Sequence, residues 1–453
     1  MPKVDAVDAV RSLTGFLDDW LAFQRWYRQV PGLSVGVSVG DESLLVSAHG
    51  LADVERDVPV SPTTRFRVAS HSKLFTATAV MQLVEQGRLR LDDRVADHLG
   101  WFGTDDPDDE LAHLTVRQLL SHSSGLTRDG GTTHWFDDRF PSKQELVEQV
   151  GSMRVYGPVE HLKYSNVAFT LAGQVVEAVT GRPYEAHVNE TLLEPLGLAA
   201  TTPDLPEGLA EHARGYPRWL PDRERPPVDH VRARVMNSAT GFSSNVPDLL
   251  RWYQAHRFGS GDLLEDRSKR EMQRVQFEGE KARWGLGFAI DTCGGMRFAA
   301  HGGGYPGFIT YSGIEQEHGL AIVVLTNASD GPARVLFEGI AKLAKRALAG
   351  EFDGPPQFDP SAADDLAGFY EHRWGITQVA RVGSKLVTVD PIPQDPTANF
   401  GVLEHVDDWS FRYPTTQPTG SPGEVVEFEH GEPPRMHDPA TPPVERADSL
   451  LPR

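Results

Sequence analysis

Cysteine is almost absent: Cys293 is alone among 453 residues. A single thiol cannot close an internal disulfide or build a thiolate metal cluster, and its ordinary role is that of a small buried side chain. Basic residues are short relative to acidic ones, 44 Lys+Arg against 64 Asp+Glu, which leaves a net charge of −20. A chain that acidic repels a phosphate backbone, so nucleic acid is not an expected partner. No uncharged apolar run approaches the ~18 residues that span a bilayer. Met1-Pro2-Lys3-Val4-Asp5 opens without the apolar stretch of a signal peptide. The expectation is a cytoplasmic protein with no membrane contact. The 17 histidines form no H-E-x-x-H helix and no Cys/His spacing of zinc type, so neither metal nor cofactor is expected. What is present is apolar material, 39% hydrophobic with 9% aromatic, enough for a large folded core.

Residues 7–28 carry Val10, Leu13, Leu17 and Leu21 at helical spacing, widened by Phe16, Trp20 and Phe23. Pro31-Gly32 stops that helix. Alternating sequence follows, Leu33–Val39, then a Gly40-Asp41-Glu42 turn and Leu44–Ala48, which predicts a hairpin. From about 70 to 280 the pattern is mostly helical with long loops. Strands return at Leu286–Ile290, Met296–Ala300, Phe308–Ile314 and Leu320–Thr326, before a helix over about 333–349. Strands at both ends with helices between predict one sheet assembled from distant parts of the chain (33–49 and 286–327), with terminal helices on one face and a helical lobe on the other. The fold class is therefore mixed α/β (α+β). The run Gly350–Pro356 reads as a linker. The domain reading is 1–350 for the main unit, 351–360 for the linker and 361–453 for a small all-β unit. Strand-like runs at Lys385–Val389, Trp409–Arg412 and Val425–Phe428 support the last, and a loose tail is expected after Pro433.

Two motifs mislead. Gly32–Gly36 and Gly36–Gly40 both fit G-x-S-x-G, but a nucleophile elbow needs strand, sharp turn and helix. Ser34 and Ser38 lie inside an alternating strand, where small residues permit close packing. Gly302–Gly307 fits G-x-G-x-x-G, yet Pro306 and the strand Phe308–Tyr311 follow where a dinucleotide site requires a helix N-terminus. The informative segment is Val68-Ala69-Ser70-His71-Ser72-Lys73, an S-x-x-K that continues as an apolar helix ending near Gly87. Positions i and i+3 share a helix face, so Ser70 and Lys73 can meet. Burial lowers a lysine's pKa, and a neutral Lys73 can take the Ser70 proton. A serine is a weak nucleophile until a base does so.

Two further pieces stand in order along the chain: Tyr164-Ser165-Asn166 before a helical run, and His301-Gly302-Gly303 at the end of a strand. With Ser70-x-x-Lys73 they make the chain resemble the penicillin-recognising serine hydrolases. These are the β-lactamase-like proteins around class C β-lactamases, D-aminopeptidases, D,D-peptidases and related esterases. Leu119-Leu120-Ser121-His122-Ser123-Ser124-Gly125-Leu126, Glu194–Leu198 and Gly241–Ser244 are also similar to that family, and the resemblance covers about residues 10–348.

The resemblance implies that Ser70 is acylated, that Lys73 helps remove its proton, and that Tyr164 completes the base system and protonates the leaving group. Asn166 would hold Lys73 and the substrate amide. His301 and Gly303 would line the substrate, and the backbone N–H groups of Ser70 and Gly304 would form the oxyanion hole. The chain departs from the family at His301, where most members carry lysine. Histidine is mostly neutral near pH 7, so the demand for a substrate carboxylate weakens. The implied substrate is a small molecule or short peptide cleaved at an amide. An esterase, a β-lactamase and a ligand sensor that acylates without turnover remain open. Tyr164 can act as a resting base only if a cation, Lys73 or Lys163, lowers its pKa from ~10. His122 reads as a loop brace. The unit after 360 resembles the lipocalin-like barrels of some relatives, in which it shapes access to the site.

Overall fold

The structure is a computed structural model that describes residues 5–103, 110–137, 139–205, 211–355, 358–415, 421–439, 442–447 and 450. Its centre is a nine-stranded antiparallel sheet. In spatial order the strands are Val58–Pro59, Glu42–Asp53, Gly32–Val39, Leu320–Thr326, Phe308–Glu315, Met296–Tyr305, Ala289–Cys293, Arg283–Trp284 and Phe277–Glu278. The first and last thirds of the main unit thus meet where Gly32–Val39 pairs with Leu320–Thr326, Leu33 opposite Thr326 and Val39 opposite Leu320.

Alternation sorts each strand between two cores. Leu33, Val35, Val37 and Val39 join Ile322 and Val324 beneath the helices Ala6–Arg11, Thr14–Tyr27 and Ala333–Leu348. Ala321, Val323 and Leu325 face the other way, into the core built on the helices Ser72–Glu85, Asn166–Thr180 and Val246–Ala255. The small residues of the first strand belong to this second face. A Cβ on Gly36 would stand 2.3 Å from Val246 Cγ1, and Ser38 Oγ accepts from Gln254 Nε2 at 2.9 Å. The G-x-S-x-G serines are packing residues inside a strand.

Three boundaries differ from expectation. The first helix is broken at Ser12-Leu13. Ser12 Oγ donates to Ala9 O and Thr14 Oγ1 to Arg11 O, local bonds that compete with the helical ladder. The run Leu286–Phe288 is buried, but the ladder begins only at Ala289. Gly287, at φ +79°, bends there against Lys73 O and Ala77 Cβ. Beyond Pro433, among the described residues, Arg435–His437 and Val444–Glu445 pair as strands where a loose tail was expected.

Among the described residues, Phe66–Ala69 and Phe242–Ser244 pair as a two-stranded sheet, and the remaining strands form a four-stranded sheet over Gly368–Val402 and a five-stranded sheet over Glu404–Glu445. The four-stranded sheet is buried on both faces. Ala380, Val382, Val387 and Val389 join the core of the outer helices, while Val379 and Leu386 join Phe411, Val426 and Phe428. Phe352, inside the expected linker, is buried in the same core as those helices.

Among the described residues, the unit's contacts go to those helices. Phe369 stacks on Phe23 at 5.4 Å and Phe400 meets Phe16 at 5.9 Å. Arg28 Nη2 donates to Ile392 O at 3.0 Å, and Lys342 Nζ to Asp395 at 2.6 Å. This surface lies across the sheet from the helix that carries Ser72 and Lys73. The expectation that the unit shapes access to Ser70 is therefore replaced by a packing role, for which the broad aromatic stripe of Phe16, Trp20 and Phe23 provides the surface.

Candidate active site

Strand Phe66–Ala69 delivers Ser70. Ala69 takes φ +48°, a left-handed backbone that costs a non-glycine residue of order 1 kcal/mol, and the kink turns the chain sharply into helix Ser72–Glu85. Ser72 Oγ donates to Ala69 O at 2.5 Å and accepts from Phe242 N at 3.0 Å, which ties the kink to strand Phe242–Ser244. Ser70 is left half-buried at the turn, one helical turn before Lys73.

Lys73 is fully buried. Its Nζ donates to Asn166 Oδ1 at 2.7 Å and to Ala239 O at 2.8 Å, and stands 3.2 Å from Ser70 Oγ. Burial pushes the ammonium well below the ordinary lysine value; Asp129 pulls it back up and Arg128 pushes it further down. A neutral amine has two hydrogens and one lone pair. In that neutral form, with the two carbonyl oxygens taking the hydrogens, the lone pair would face Ser70.

Tyr164 lies over the same ammonium, with Lys73 Nζ 4.9 Å from its ring centroid. Burial raises its phenol, and the Ser70 hydroxyl and the Arg128 charge only partly offset that. The condition for a resting base is not met: the Arg128 cation lowers the phenol, but burial outweighs it and leaves Tyr164 a proton donor at rest. His122 stacks on Tyr164 at 4.3 Å, and its Nδ1 accepts from Ser165 N at 3.1 Å. It braces the Tyr164–Asn166 turn, as the sequence suggests, and φ +57° at His122 shapes that loop.

The third segment lies in strand Met296–Tyr305. His301 is 2% exposed, packs against Trp284 at 5.3 Å and Tyr164 at 6.4 Å, and donates from Nδ1 to Gly302 O at 2.7 Å. Burial, then the neighbouring Lys73 and His71, hold it well below the usual histidine value, so it is neutral. Gly303 permits close approach: a Cβ there would stand 2.3 Å from both Val68 O and Thr310 Oγ1. Gly304 faces open space, its nearest neighbour for a Cβ being Ile309 Cδ1 at 3.8 Å. The strand pair closes on the two-residue turn Pro306-Gly307, with Gly304 opposite Ile309. Ladder alternation then turns the Gly304 N–H away from Ile309.

Sequence reasoning missed Arg128 and Asp129. Asn166 Nδ2 donates to Asp129 Oδ1 at 2.6 Å, and Arg128 Nε lies 3.3 Å from Asp129 Oδ2. The Arg128 guanidinium sits 5.5 Å from the Tyr164 ring centroid. The signal was a charged pair two residues past Leu126, just before Gly130-Gly131. Trp284, which meets His122 at 4.5 Å and Tyr164 at 5.6 Å, was missed as well. Among the described residues one cluster has metal-like spacing, Glu315, Glu317 and His318. Its Glu315 carboxylate already accepts from Glu317 N, His318 N and His318 Nδ1, and it closes a turn at the far end of the strand pair from Gly304. Also among the described residues, no helix is long and apolar enough to cross a membrane.

Ser70 thus stands with a dehydrated lysine against it and a phenol beside both. The Beta-lactamase family profile matches residues 17–345, and the chain belongs to that family. Penicillin-binding protein 4 of Amycolatopsis lactamdurans is 28% identical over 371 residues, covering 78% of this chain and 96% of the relative. Protein flp of Staphylococcus aureus (strain NCTC 8325 / PS 47) is 30% identical over 178 residues, 38% of this chain, and that match spans only 35% of the relative's length. Among solved structures, D-amino acid amidase from Ochrobactrum anthropi SV3 complexed with D-phenylalanine superposes with a TM-score of 0.62. It is 25% identical, with 76% of this chain and 99% of that one covered.

Proposed function

We propose that the protein hydrolyses a small amide or peptide bond through an acyl-enzyme on Ser70. The observation that carries this reading is the Tyr164 phenol, kept protonated by burial next to the Ser70 hydroxyl. An amide nitrogen leaves only when protonated, and a positioned acid supplies that proton. In the proposed sequence the Ser70 proton passes to the Lys73 lone pair as Oγ bonds to the carbonyl carbon. The oxyanion is met by the N–H groups of Ser70 and Gly304, donors of the kind worth ~10²–10³ in rate. The C–N bond breaks as Tyr164 gives its proton to the nitrogen. Water then attacks the acyl group and returns a proton to Tyr164, and Ser70 leaves with the proton held by Lys73.

The charge pattern supports a substrate that needs no carboxylate. His301 is neutral, and the nearby Arg128 charge is matched by Asp129. The D-amino acid amidase likeness supports amino-acid amides as the first class to try, D-configured ones included. The test is a panel of p-nitroanilides of D- and L-amino acids run beside p-nitrophenyl esters, with Ser70→Ala as control. Turnover of anilides that is lost in Ser70→Ala is expected. Ester turnover with no anilide cleavage would make the protein an esterase, and stoichiometric labelling without turnover would make it a sensor.

A further inference from the structure

The Lys73 lone pair faces Ser70 only while Asn166 presents its oxygen to Nζ. An amide side chain is nearly symmetric in shape, and the reversed orientation would aim Nδ2–H at the amine lone pair and block it as a base. The neighbour on the other side of the amide decides between the two. Asp129 lies there, 2.6 Å from Asn166 Nδ2, and an ionised carboxylate accepts hydrogen bonds but donates none. We propose that Asp129 is a positioning residue for the base: its carboxylate locks the Asn166 amide with Oδ1 toward Lys73, and so leaves the lysine lone pair to Ser70.

The carboxylate is suited to the task. Its side chain is 20% exposed and braced by Arg128 Nε at 3.3 Å. Burial alone would raise it, but the polar groups of His134, Asn166 and Trp135 and the Arg128 charge outweigh burial and hold it at about 2. It therefore stays an acceptor across any working pH. The route runs across the fold: loop Arg128-Asp129, the first turn of helix Asn166–Thr180, then helix Ser72–Glu85. The Arg128 backbone carbonyl accepts from Asn166 N at 2.7 Å and from Val167 N at 3.2 Å, which clamps the loop to that first turn. Asp129 also acts through space, its charge raising the Lys73 ammonium against burial. The other titratable groups around the amine are His71, His122, His301, Tyr164 and Arg128.

The inference rests on the reading of Lys73 as base, and the experiment separates the two. Asp129→Asn keeps shape but removes charge, and its own amide can face Asn166 either way. Rates of fluorophosphonate labelling at Ser70, and kcat and KM on the best panel substrate, are measured against pH for Asp129→Asn, Asn166→Ala and the double variant. Expected are a ~10–10²-fold loss in kcat with little change in KM, and an acid limb of kcat/KM moved to lower pH because the nearby anion is gone. The double variant should be no worse than Asn166→Ala alone. Losses that multiply in the double variant, or an unmoved acid limb in a folded protein, would overturn the proposal. So would a KM rise confined to amine-bearing substrates, which would make Asp129 a substrate anchor. If Asp129→Asn does not fold, Asp129→Ser carries the same comparison. Lys73→Met, run alongside, isolates the underlying reading: undiminished labelling there would sink the base assignment itself.

Discussion

Burial strips Lys73 of water and, more than any neighbour, lowers its ammonium well below the ordinary lysine value. The sign of the pH dependence follows. As pH falls through the lowered Lys73 pKa, Nζ gains a proton and its lone pair is lost, so kcat/KM should fall toward acid. Tyr164 sets no limit there because its phenol is raised and stays protonated. The expected profile is therefore a single acid limb, absent from Lys73→Met, whose remaining rate should be lower by at least ~10². Tyr164→Phe should depress anilide turnover far more than p-nitrophenyl ester turnover, since p-nitrophenolate leaves without a proton. Equal losses on both substrates, measured at one pH, would remove Tyr164 from the role of acid. Ser70 and Lys73 were legible in the sequence because helical spacing pairs them, and Tyr164 and Asn166 through the resemblance that their triplet carries. Asp129 was not, because it meets Asn166 from 37 positions away through a loop with no periodicity, and a lone Arg-Asp pair reads as surface charge.

Elements bring those residues together by close approach. The strand Met296–Tyr305 can lie against the Val68–His71 turn only because position 303 has no side chain. Gly303→Ala would drive a Cβ to 2.3 Å from Val68 O, a backbone atom that cannot rotate away, so the strand must move. Overpacking of this kind costs about 1–3 kcal/mol, and the shift displaces the Gly304 N–H, proposed above as an oxyanion donor. The variant should lower both the melting temperature and the rate of Ser70 labelling. Gly304→Ala, with open space at its Cβ, should leave the melting temperature nearly unchanged. An equal effect of the two on melting would refute the close-approach argument. The same contrast explains what could be read of the sheet. The alternating strand Gly32–Val39 and the continuous apolar run Leu320–Thr326 follow the sequence pattern closely. Leu286–Phe288 did not become ladder, because its apolar side chains serve the core while Gly287 bends the backbone. The breaks at Ser12 and Thr14 come from side-chain oxygens that compete for backbone partners, a local event that a hydrophobic stripe cannot report.

At the scale of the whole molecule the central sheet separates chemistry from support. Ser70, Lys73, Tyr164 and His301 lie with the core on one face, and the two C-terminal sheets lie beyond the helices on the other. Phe16, Phe23, Phe352 and Phe400 are buried or half-buried there, and Gln24 Nε2 reaches Pro393 O at 3.2 Å. Removing residues 355–453 would expose that aromatic stripe, so the truncated chain should melt earlier and lose solubility. At ~25 cal/mol per Å², even two rings returned to water cost several kcal/mol. Ser70 should still react with a small fluorophosphonate, because none of the described C-terminal residues supplies a contact to Lys73, Tyr164 or Asn166. Phe23→Ala in the full-length chain is the gentler version. It removes the stack on Phe369, should cost about 3–5 kcal/mol, and should leave kcat on the best substrate intact below the melting transition. The decisive measurement is the ratio of activity on bulky and small esters, taken on the soluble fraction of the truncated chain. A packing role leaves the ratio unchanged while the melting temperature drops. A ratio that rises for bulky esters would mean that the C-terminal sheets reach the site from across the molecule, against the direction in which their contacts run.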